Sequence, residues 1–300
     1  MNLLKGGMSM EQLADVDLAE TEVTGLFGYP VEHSLSPKMH NAGFEELGIN
    51  YLYLPFAVQP ENLEQAVAGI RGLGIRGVNL TIPHKEEVIP YLDELSEEAE
   101  LIGAVNTIVN QNGKLVGHNT DGRGYIRSLQ EGAGFAPDNK EVLIIGAGGA
   151  ARAVAFQLVL EGIDKLYIAN RTFSKAEKLA AEIRTKIDLK EITALDLTTE
   201  ALTPVFNNLD LVVDTTPIGM VPDTDVKPVI EPGLLDSNLL VSDLVYNPQE
   251  TVLLQAAKEA GAETVSGLGM LLYQGVIAFE LWTDRQAPVE EMQAALEKNI

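Results

Sequence analysis

The chain has 300 residues, 46% of them hydrophobic, and its 44 acidic against 21 basic residues leave a formal net charge of -23. Such a length and apolar content suggest about two domains, each with its own core, and the negative balance argues against nucleic-acid backbone binding as the main activity. Cysteine is absent, which excludes disulfides and thiolate chemistry, and His33, His40, His84 and His118 have no zinc-like spacing, so no metal is expected.

Residues 1–20 combine one lysine with several acids and no long apolar core. They fit neither a secretory signal nor a basic transit peptide and read as a flexible acidic leader. No run reaches the roughly 18 apolar residues of a membrane span, so no membrane partner and a cytoplasmic location are expected.

Val23 to Phe27 reads as the first strand and leads into HSLSP. Ser36 is placed to cap a helix from Pro37 to about Leu47, with the proline at the first helical position. Ser34 and Ser36 either serve that helix end or hydrogen-bond a ligand's hydroxyl or carboxylate groups. Tyr51 to Val58 reads as a second strand, Pro60 to Leu73 as an amphipathic helix and Gly77 to Thr81 as a third strand, a small βαβαβ unit. Asn79 and Thr81 alternate with Val78 and Leu80 and so share one strand face. Pro83 stops the strand, and His84 and Lys85 open a short helix. Two polar side chains at a strand end followed by a lysine suit a small-molecule site, although a single lysine is more commonly a solvated charge.

Ala104 to Val109 and Lys114 to Gly117 form a hairpin pattern around Asn112 and Gly113. Asn119, Thr120 and Asp121 then cap a helix starting near Gly122, the commoner meaning of such a tripeptide, or carry chemistry. Gly132 to Lys140 reads as a loop.

Glu141 to Ala151 (EVLIIGAGGAA) is a buried strand, a glycine turn and the start of a helix that runs from Ala150 to Leu160. Gly146 permits the tight turn, Gly148 lets a pyrophosphate approach the backbone, and Ala151 replaces the third glycine of GxGxxG, where only close helix packing is needed. Dinucleotide binding is therefore expected, with a plain βα turn as the alternative. Lys165 to Ala169 is the next strand. An NAD site would place Asp or Glu at its end, but the chain reads Asn170, Arg171 and Thr172, with Lys175 one turn later, which suits the 2′-phosphate of NADP unless Arg171 is only a surface charge. Lys175 to Ile187 is helical, Leu209 to Thr215 and Leu239 to Leu244 are strands, and Thr216 to Met220 forms a loop at a strand end facing the cofactor crevice. A helix from about Glu250 to Ala260 and a short strand at Thr264 and Val265 precede a long apolar helix, on which Met270 and Gln274 share a face.

The motifs HSLSP (33–37), NLTIPHK (79–85), AVNT (104–107), NTDG (119–122), GAGGAA (146–151), NRT (170–172), TPIGM (216–220), DLVYNP (243–248) and GLGMLLYQG (267–275), in that order, resemble the shikimate dehydrogenase family from Thr21 to the C-terminus. The resemblance implies an α/β enzyme of two domains. Residues 21–121 with 266–300 would form a substrate-binding catalytic domain completed by C-terminal helices, and 122–265 a Rossmann-type NADP-binding domain. It implies reversible NADPH-linked reduction of 3-dehydroshikimate to shikimate. Lys85 and Asp121 would be the catalytic pair. Ser34 and Ser36 would bind the substrate carboxylate, Asn79, Thr81, Asn106 and Gln274 its hydroxyls, and Tyr246 would also reach the substrate side. Gly146, Ala147, Gly148, Gly149 and Ala150 would meet the pyrophosphate, Asn170, Arg171, Thr172 and Lys175 the adenosine phosphate, and Thr215, Met220, Leu244, Gly267 and Met270 the rest of the cofactor. Lys175 stands where a second arginine is common, which keeps the charge but loses the planar grip and loosens the expected NADP preference. Two rival readings are a quinate/shikimate dehydrogenase with mixed NAD/NADP use and a non-catalytic metabolite sensor; the sensor would be expected to have lost Lys85 or Asp121. The oligomeric state is open, with a homodimer among the alternatives.

Overall fold

The computed structural model describes residues 20–187 and 191–300, so the leader expected over residues 1–20 lies, apart from Glu20, outside the described residues. Along the chain run β1 (Glu22–Gly28), α1 (Ser36–Glu46), β2 (Tyr51–Ala57), α2 (Leu63–Leu73), β3 (Gly77–Leu80), α3 (His84–Glu87), β4 (Glu94–Leu95), α4 (Glu97–Ile102), β5 (Thr107–Gln111), β6 (Lys114–His118) and α5 (Asp121–Ala133). There follow β7 (Glu141–Ile145), α6 (Gly149–Leu160), β8 (Lys165–Asn170), α7 (Phe173–Lys186), β9 (Glu191–Asp196), α8 (Thr199–Phe206), β10 (Leu211–Asp214), β11 (Leu240–Asp243), α9 (Val252–Glu259), β12 (Glu263–Ser266), α10 (Gly267–Thr283) and α11 (Val289–Glu297). Among the described residues, 20–95, Val105–His118 and Phe279–Asn299 form one compact unit, and Ser96–Ala104 with Asn119–Ala278 form the other.

The first unit holds a six-stranded sheet in the order β2-β1-β3-β5-β6-β4. β1 is parallel to β2 and β3, and β5 is antiparallel to β3 and β6. Pro55 is tolerated because β2 is an edge strand, where a missing N–H breaks no inner ladder. The β5–β6 hairpin turns through Asn112 and Gly113, both at positive φ (55° and 96°), as the expected Asn-Gly turn requires. Met39, Phe44, Tyr53, Val67, Ile70, Phe279 and Trp282 are buried in this unit. His40 is buried among the aromatics, stacked on Tyr53 with ring centroids 4.4 Å apart. Gly77 is required beneath Trp282, since a Cβ there would collide with the indole, whose Nε1 donates to the Ile108 carbonyl at 3.0 Å.

The second unit holds a six-stranded, all-parallel sheet in the order β12-β11-β10-β7-β8-β9. The first strand of this unit, β7, lies centrally, and the order reverses between it and β10, the switch point at which such sheets bind ligands. The strand VLII explains the layering. Val142 and Ile144 pack into one core with Ala151, Val154, Leu158 and Ile183, whereas Leu143 and Ile145 pack into another with Leu202, Phe206, Leu253 and Leu254. Alternate side chains point to opposite faces, so a continuous apolar run demands helices on both. Each such fully buried aliphatic side chain contributes about 1.5–3 kcal/mol relative to exposure.

Three local expectations need correction. Ser36 is not the N-cap of α1: it is already helical, Leu35 occupies the cap position without a side-chain bond, and Ser34 Oγ instead accepts the Ser36 N–H at 3.3 Å. The stretch expected to be a loop from Gly132 is helical through Ala133 and ends at Gly134, at φ 59°. β9 and α8 fall in 188–208, which carries no element in the sequence reading; β9 is an edge strand with both polar and apolar residues on its half-exposed surface, and its alternation is correspondingly weak.

Candidate active site

In the first unit the polar residues at the end of β3 are built into a buried hydrogen-bond network. Tyr53, on β2, donates its hydroxyl to Asn79 Oδ1 at 2.8 Å. Asn79 Nδ2 donates to Thr107 Oγ1 at 3.0 Å and to the Asn106 carbonyl at 3.3 Å, and Thr107 Oγ1 donates to Asn106 Oδ1 at 3.0 Å. Ser36 is buried beside them: burial pushes the Tyr53 phenol far above its ordinary range, and hydrogen bonding from Ser36 works against that shift. The structure thus brings Ser34, Ser36, Asn79 and Asn106 together around Tyr53 and Thr107. Neither of those two was singled out in the sequence, where Tyr53 reads as an ordinary strand aromatic.

Thr81 and Lys85 follow directly. Thr81 donates its backbone N–H to the Phe27 carbonyl at 3.0 Å and accepts the His84 N–H at 2.9 Å, which starts α3. The His84 ring is buried and donates from Nε2 to the Val58 carbonyl at 2.7 Å. The Lys85 carbonyl accepts the Val105 N–H at 2.7 Å, so the lysine is half-buried on backbone anchored at both ends of a very short helix.

In the second unit Asp121 is buried at the first position of α5, where the helix N-terminus favours a carboxylate. Asn119 shapes the entry: its Oδ1 accepts the Asp121 N–H at 3.1 Å and its Nδ2 donates to the Ala104 carbonyl at 3.0 Å. The NTDG segment therefore serves the helix end through Asn119 and leaves Thr120, the cap residue, without a side-chain capping bond. One turn along, Gly124 lets α10 approach so closely that a Cβ would stand 2.5 Å from the Gln274 backbone nitrogen. Gly124 thus seats α5, the helix that Asp121 opens, against Gln274 within this unit. Gln274 Nε2 donates back to the Leu271 carbonyl at 2.8 Å, and Met270, one turn before it on the same helix, packs against the core.

At the switch point Gly146 has φ 111° and its missing Cβ makes room for the Thr215 hydroxyl, which donates to the Ile145 carbonyl at 2.7 Å. Above Gly148 and Gly149 a Cβ would meet nothing within 4 Å, and Gly148 stands at the N-cap of α6 with no side chain to cap it. Open space over uncapped N-terminal amides is what an anionic pyrophosphate needs, so the turn fits a dinucleotide. Ala151 is buried against the sheet, as expected for the third position of the fingerprint. At the end of β8, Asn170 Nδ2 donates to the Thr172 carbonyl at 2.9 Å. Arg171 and Lys175 are exposed there and form no ion pair among the described residues, which leaves two cations at the place where a 2′-phosphate would sit. Gly267 is needed against Leu244, whose carbonyl a Cβ would strike. Tyr246 is half-buried, which raises its phenol, and Met220 is exposed.

Two buried carboxylates at adjacent strand ends escaped the sequence reading. Asp214 on β10 and Asp243 on β11 are register partners, and both are raised above the ordinary range: Asp214 to about 7, by burial first and then by the Asp243 carboxylate, and Asp243 by burial, against which its hydrogen bonds from Thr251 and Val245 work. Asp243 is held by the Thr251 hydroxyl at 2.6 Å and the Val245 N–H at 2.9 Å, and Asp214 by the Thr216 N–H at 2.8 Å. An acid ending an apolar strand, as in LVVD and LVSD, was the available signal.

Comparison with known proteins falls on the same parts of the chain. Residues 26–108 match the shikimate dehydrogenase substrate-binding domain, 131–217 the shikimate/quinate 5-dehydrogenase family and 267–297 the shikimate 5′-dehydrogenase C-terminal domain. A shikimate dehydrogenase (NADP+) of Methanopyrus kandleri is 53% identical over 94% of this chain and 97% of its own length. A crystal structure of a shikimate dehydrogenase in complex with NADP+ superposes with a TM-score of 0.88 at 47% identity, covering 94% of this chain and 96% of that one. The Listeria monocytogenes enzyme in complex with shikimate and NAD gives a TM-score of 0.88 at 42% identity, covering 92% and 96%.

Proposed function

The chain belongs to the shikimate dehydrogenase family, and we infer that it carries out the reversible NADPH-linked reduction of 3-dehydroshikimate to shikimate, on the route to chorismate and the aromatic amino acids. The observation that carries this reading is the open, uncapped glycine turn at the switch point of a doubly wound sheet, followed one strand later by Arg171 and Lys175.

NADPH, when bound, supplies the hydride. Gly146 to Ala150 would hold its pyrophosphate on backbone amides, Asn170, Arg171, Thr172 and Lys175 its adenosine phosphate, and Thr215, Met220, Leu244, Gly267 and Met270 the remainder. As the carbonyl of the substrate is reduced, negative charge grows on its oxygen, and a proton must be delivered there. Lys85 is the donor in reduction and the acceptor in the reverse direction, and Asp121 orients it and shares hydrogen bonds with the substrate hydroxyls. Ser34 and Ser36 take the ring carboxylate; Asn79, Thr81, Asn106, Gln274 and Tyr246 bind the remaining polar groups. In this reading residues 21–121 with 266–300 form the mainly substrate-binding part and 122–265 the mainly cofactor-binding part, with Gly267 and Met270 reaching the cofactor and Tyr246 the substrate. The partners are these small molecules, with neither nucleic acid nor membrane. No helix among the described residues is long and apolar enough to cross a membrane, and a cytoplasmic location and a homodimer belong to the same proposal.

The test is absorbance at the nicotinamide band with shikimate or quinate paired with NADP or NAD. Rapid turnover of shikimate with NADP alone supports the assignment. Comparable turnover of quinate with NAD would move it to a quinate/shikimate dehydrogenase of mixed cofactor use, and no turnover in any pairing would overturn it.

A further inference from the structure

We propose that Tyr53 and Thr107 are positioning residues that set the hydrogen-bond polarity of the substrate amides, making Asn79 an acceptor and Asn106 a donor toward the ligand. The proposal rests on the reading that Asn79 and Asn106 meet the substrate's hydroxyls. Its structural ground is the buried relay from Tyr53 through Asn79 and Thr107 to Asn106, each residue at most 4% exposed.

An asparagine amide can turn over with little steric cost, exchanging its acceptor and donor ends. Here it is held one way round. Asn79 Nδ2 spends its two protons on the Asn106 carbonyl and on Thr107 Oγ1, and Oδ1 receives the Tyr53 hydroxyl. Turned over, Asn79 would set its Oδ1 against the Asn106 carbonyl, which has no proton to give. Only the second lone pair of Oδ1 then remains in Asn79 for a ligand, so it can accept a hydroxyl proton but not donate one. The direction carries forward. Because Thr107 Oγ1 receives a proton from Asn79, its own proton goes to Asn106 Oδ1, which fixes that amide with Nδ2 as its donating atom. An acceptor beside a donor distinguishes the orientation of neighbouring ring hydroxyls, whereas two freely turning amides would accept either. A site built to hydrogen-bond a hydroxyl rejects an analogue lacking it because its own buried groups go unpaired.

The ring of Tyr53 also stacks on His40, and this packing survives in Tyr53→Phe, so the substitution removes the hydroxyl alone. Initial rates with shikimate and NADP should then show a KM for shikimate raised about tenfold, the size expected for one lost hydrogen bond to a positioned group, with kcat and the KM for NADP within about twofold. Thr107→Val should act alike, and Thr107→Ser, which restores the hydroxyl, should recover most of the loss. Preference for shikimate over the two mono-deoxyshikimates that keep the oxidisable hydroxyl should fall in both variants. In an Asn79→Ala background, Tyr53→Phe should add nothing, because its effect runs through Asn79. An unchanged shikimate KM in Tyr53→Phe alongside a raised one in Asn79→Ala would overturn the relay, as would a Tyr53→Phe penalty of equal size in both backgrounds. An Asn79→Ala protein with the parental KM would overturn the substrate assignment itself and this proposal with it. The two ends of the relay carry separate variants, so if one fails to fold the other decides.

Discussion

Lys85 stands one residue into a four-residue helix, and what holds its backbone is a bond from its own carbonyl to the Val105 N–H. Lys85→Ala removes the ammonium and leaves that anchor in place, so kcat should fall about 10²- to 10⁴-fold, the range for loss of a general acid, with the shikimate KM little changed. Steady-state kinetics at saturating NADP read it, and an unaltered kcat would remove the lysine from the mechanism. Arg171 is the opposite kind of residue. It is exposed at a strand end and carries no structural ion pair among the described residues, so Arg171→Ala should leave the melting temperature unchanged. The KM for NADP should rise about 10- to 100-fold, the equivalent of one charge-assisted hydrogen bond, while the KM for NAD stays put. A parallel rise for both cofactors would show that Arg171 does not read the 2′-phosphate.

At the scale of elements, glycines divide into those that hold the fold together and those that leave space for a ligand. Gly267 opens α10 directly against the Leu244 carbonyl, so Gly267→Ala forces two backbones apart. A loss of about 1–3 kcal/mol is expected, visible as a lower denaturation midpoint even without cofactor. Gly149 is the first residue of α6 with nothing over it. Gly149→Ala should therefore keep or slightly raise the midpoint, since alanine favours helix, yet weaken NADP binding by filling the space above the amides. Thermal unfolding with and without NADP separates the two: a Gly149→Ala protein that is destabilised, or that still gains full stability from NADP, would contradict the division. The glycine pattern was readable from sequence at 146–151 because a strand, a turn and a helix are contiguous there. Gly124 and Gly267 were not readable as contact points, since the surfaces that demand them arrive from residues 150 and 23 positions away.

For the whole molecule, the two units carry buried ionisable groups whose effects on stability have opposite signs. In the first, burial lowers His40 from 6.5 to about 3. Between those values the unfolded chain binds a proton that the folded chain refuses, so stability present above pH 6.5 falls as the pH drops, by about 1.4 kcal/mol per pH unit from this group. In the second, Asp214 rises from 3.8 to about 7, and across that window the folded chain keeps a proton the unfolded chain has released, so stability falls as the pH climbs. Urea unfolding from pH 4 to 8 should therefore show His40→Leu flattening the acid side and Asp214→Asn raising stability most near pH 8; an Asp214→Asn protein equally altered at pH 4 and pH 8 would rule out the linkage. What the sequence determined by itself was whatever is written in neighbouring residues: the strand-turn-helix at Glu141 to Leu160, the Asn-Gly hairpin, the βαβαβ opening, and the motif order that resembles one enzyme family. Only the tertiary structure decided that Ser36 is helical and not a cap, that β9 completes the sheet, that Tyr53 and Thr107 stand behind Asn79 and Asn106, and that Asp214 faces Asp243. The reason is one of range. Turns, caps and apolar periodicity act over a few residues, whereas a buried hydroxyl or carboxylate takes its partner from another strand or helix, and its energy depends on which strand that is.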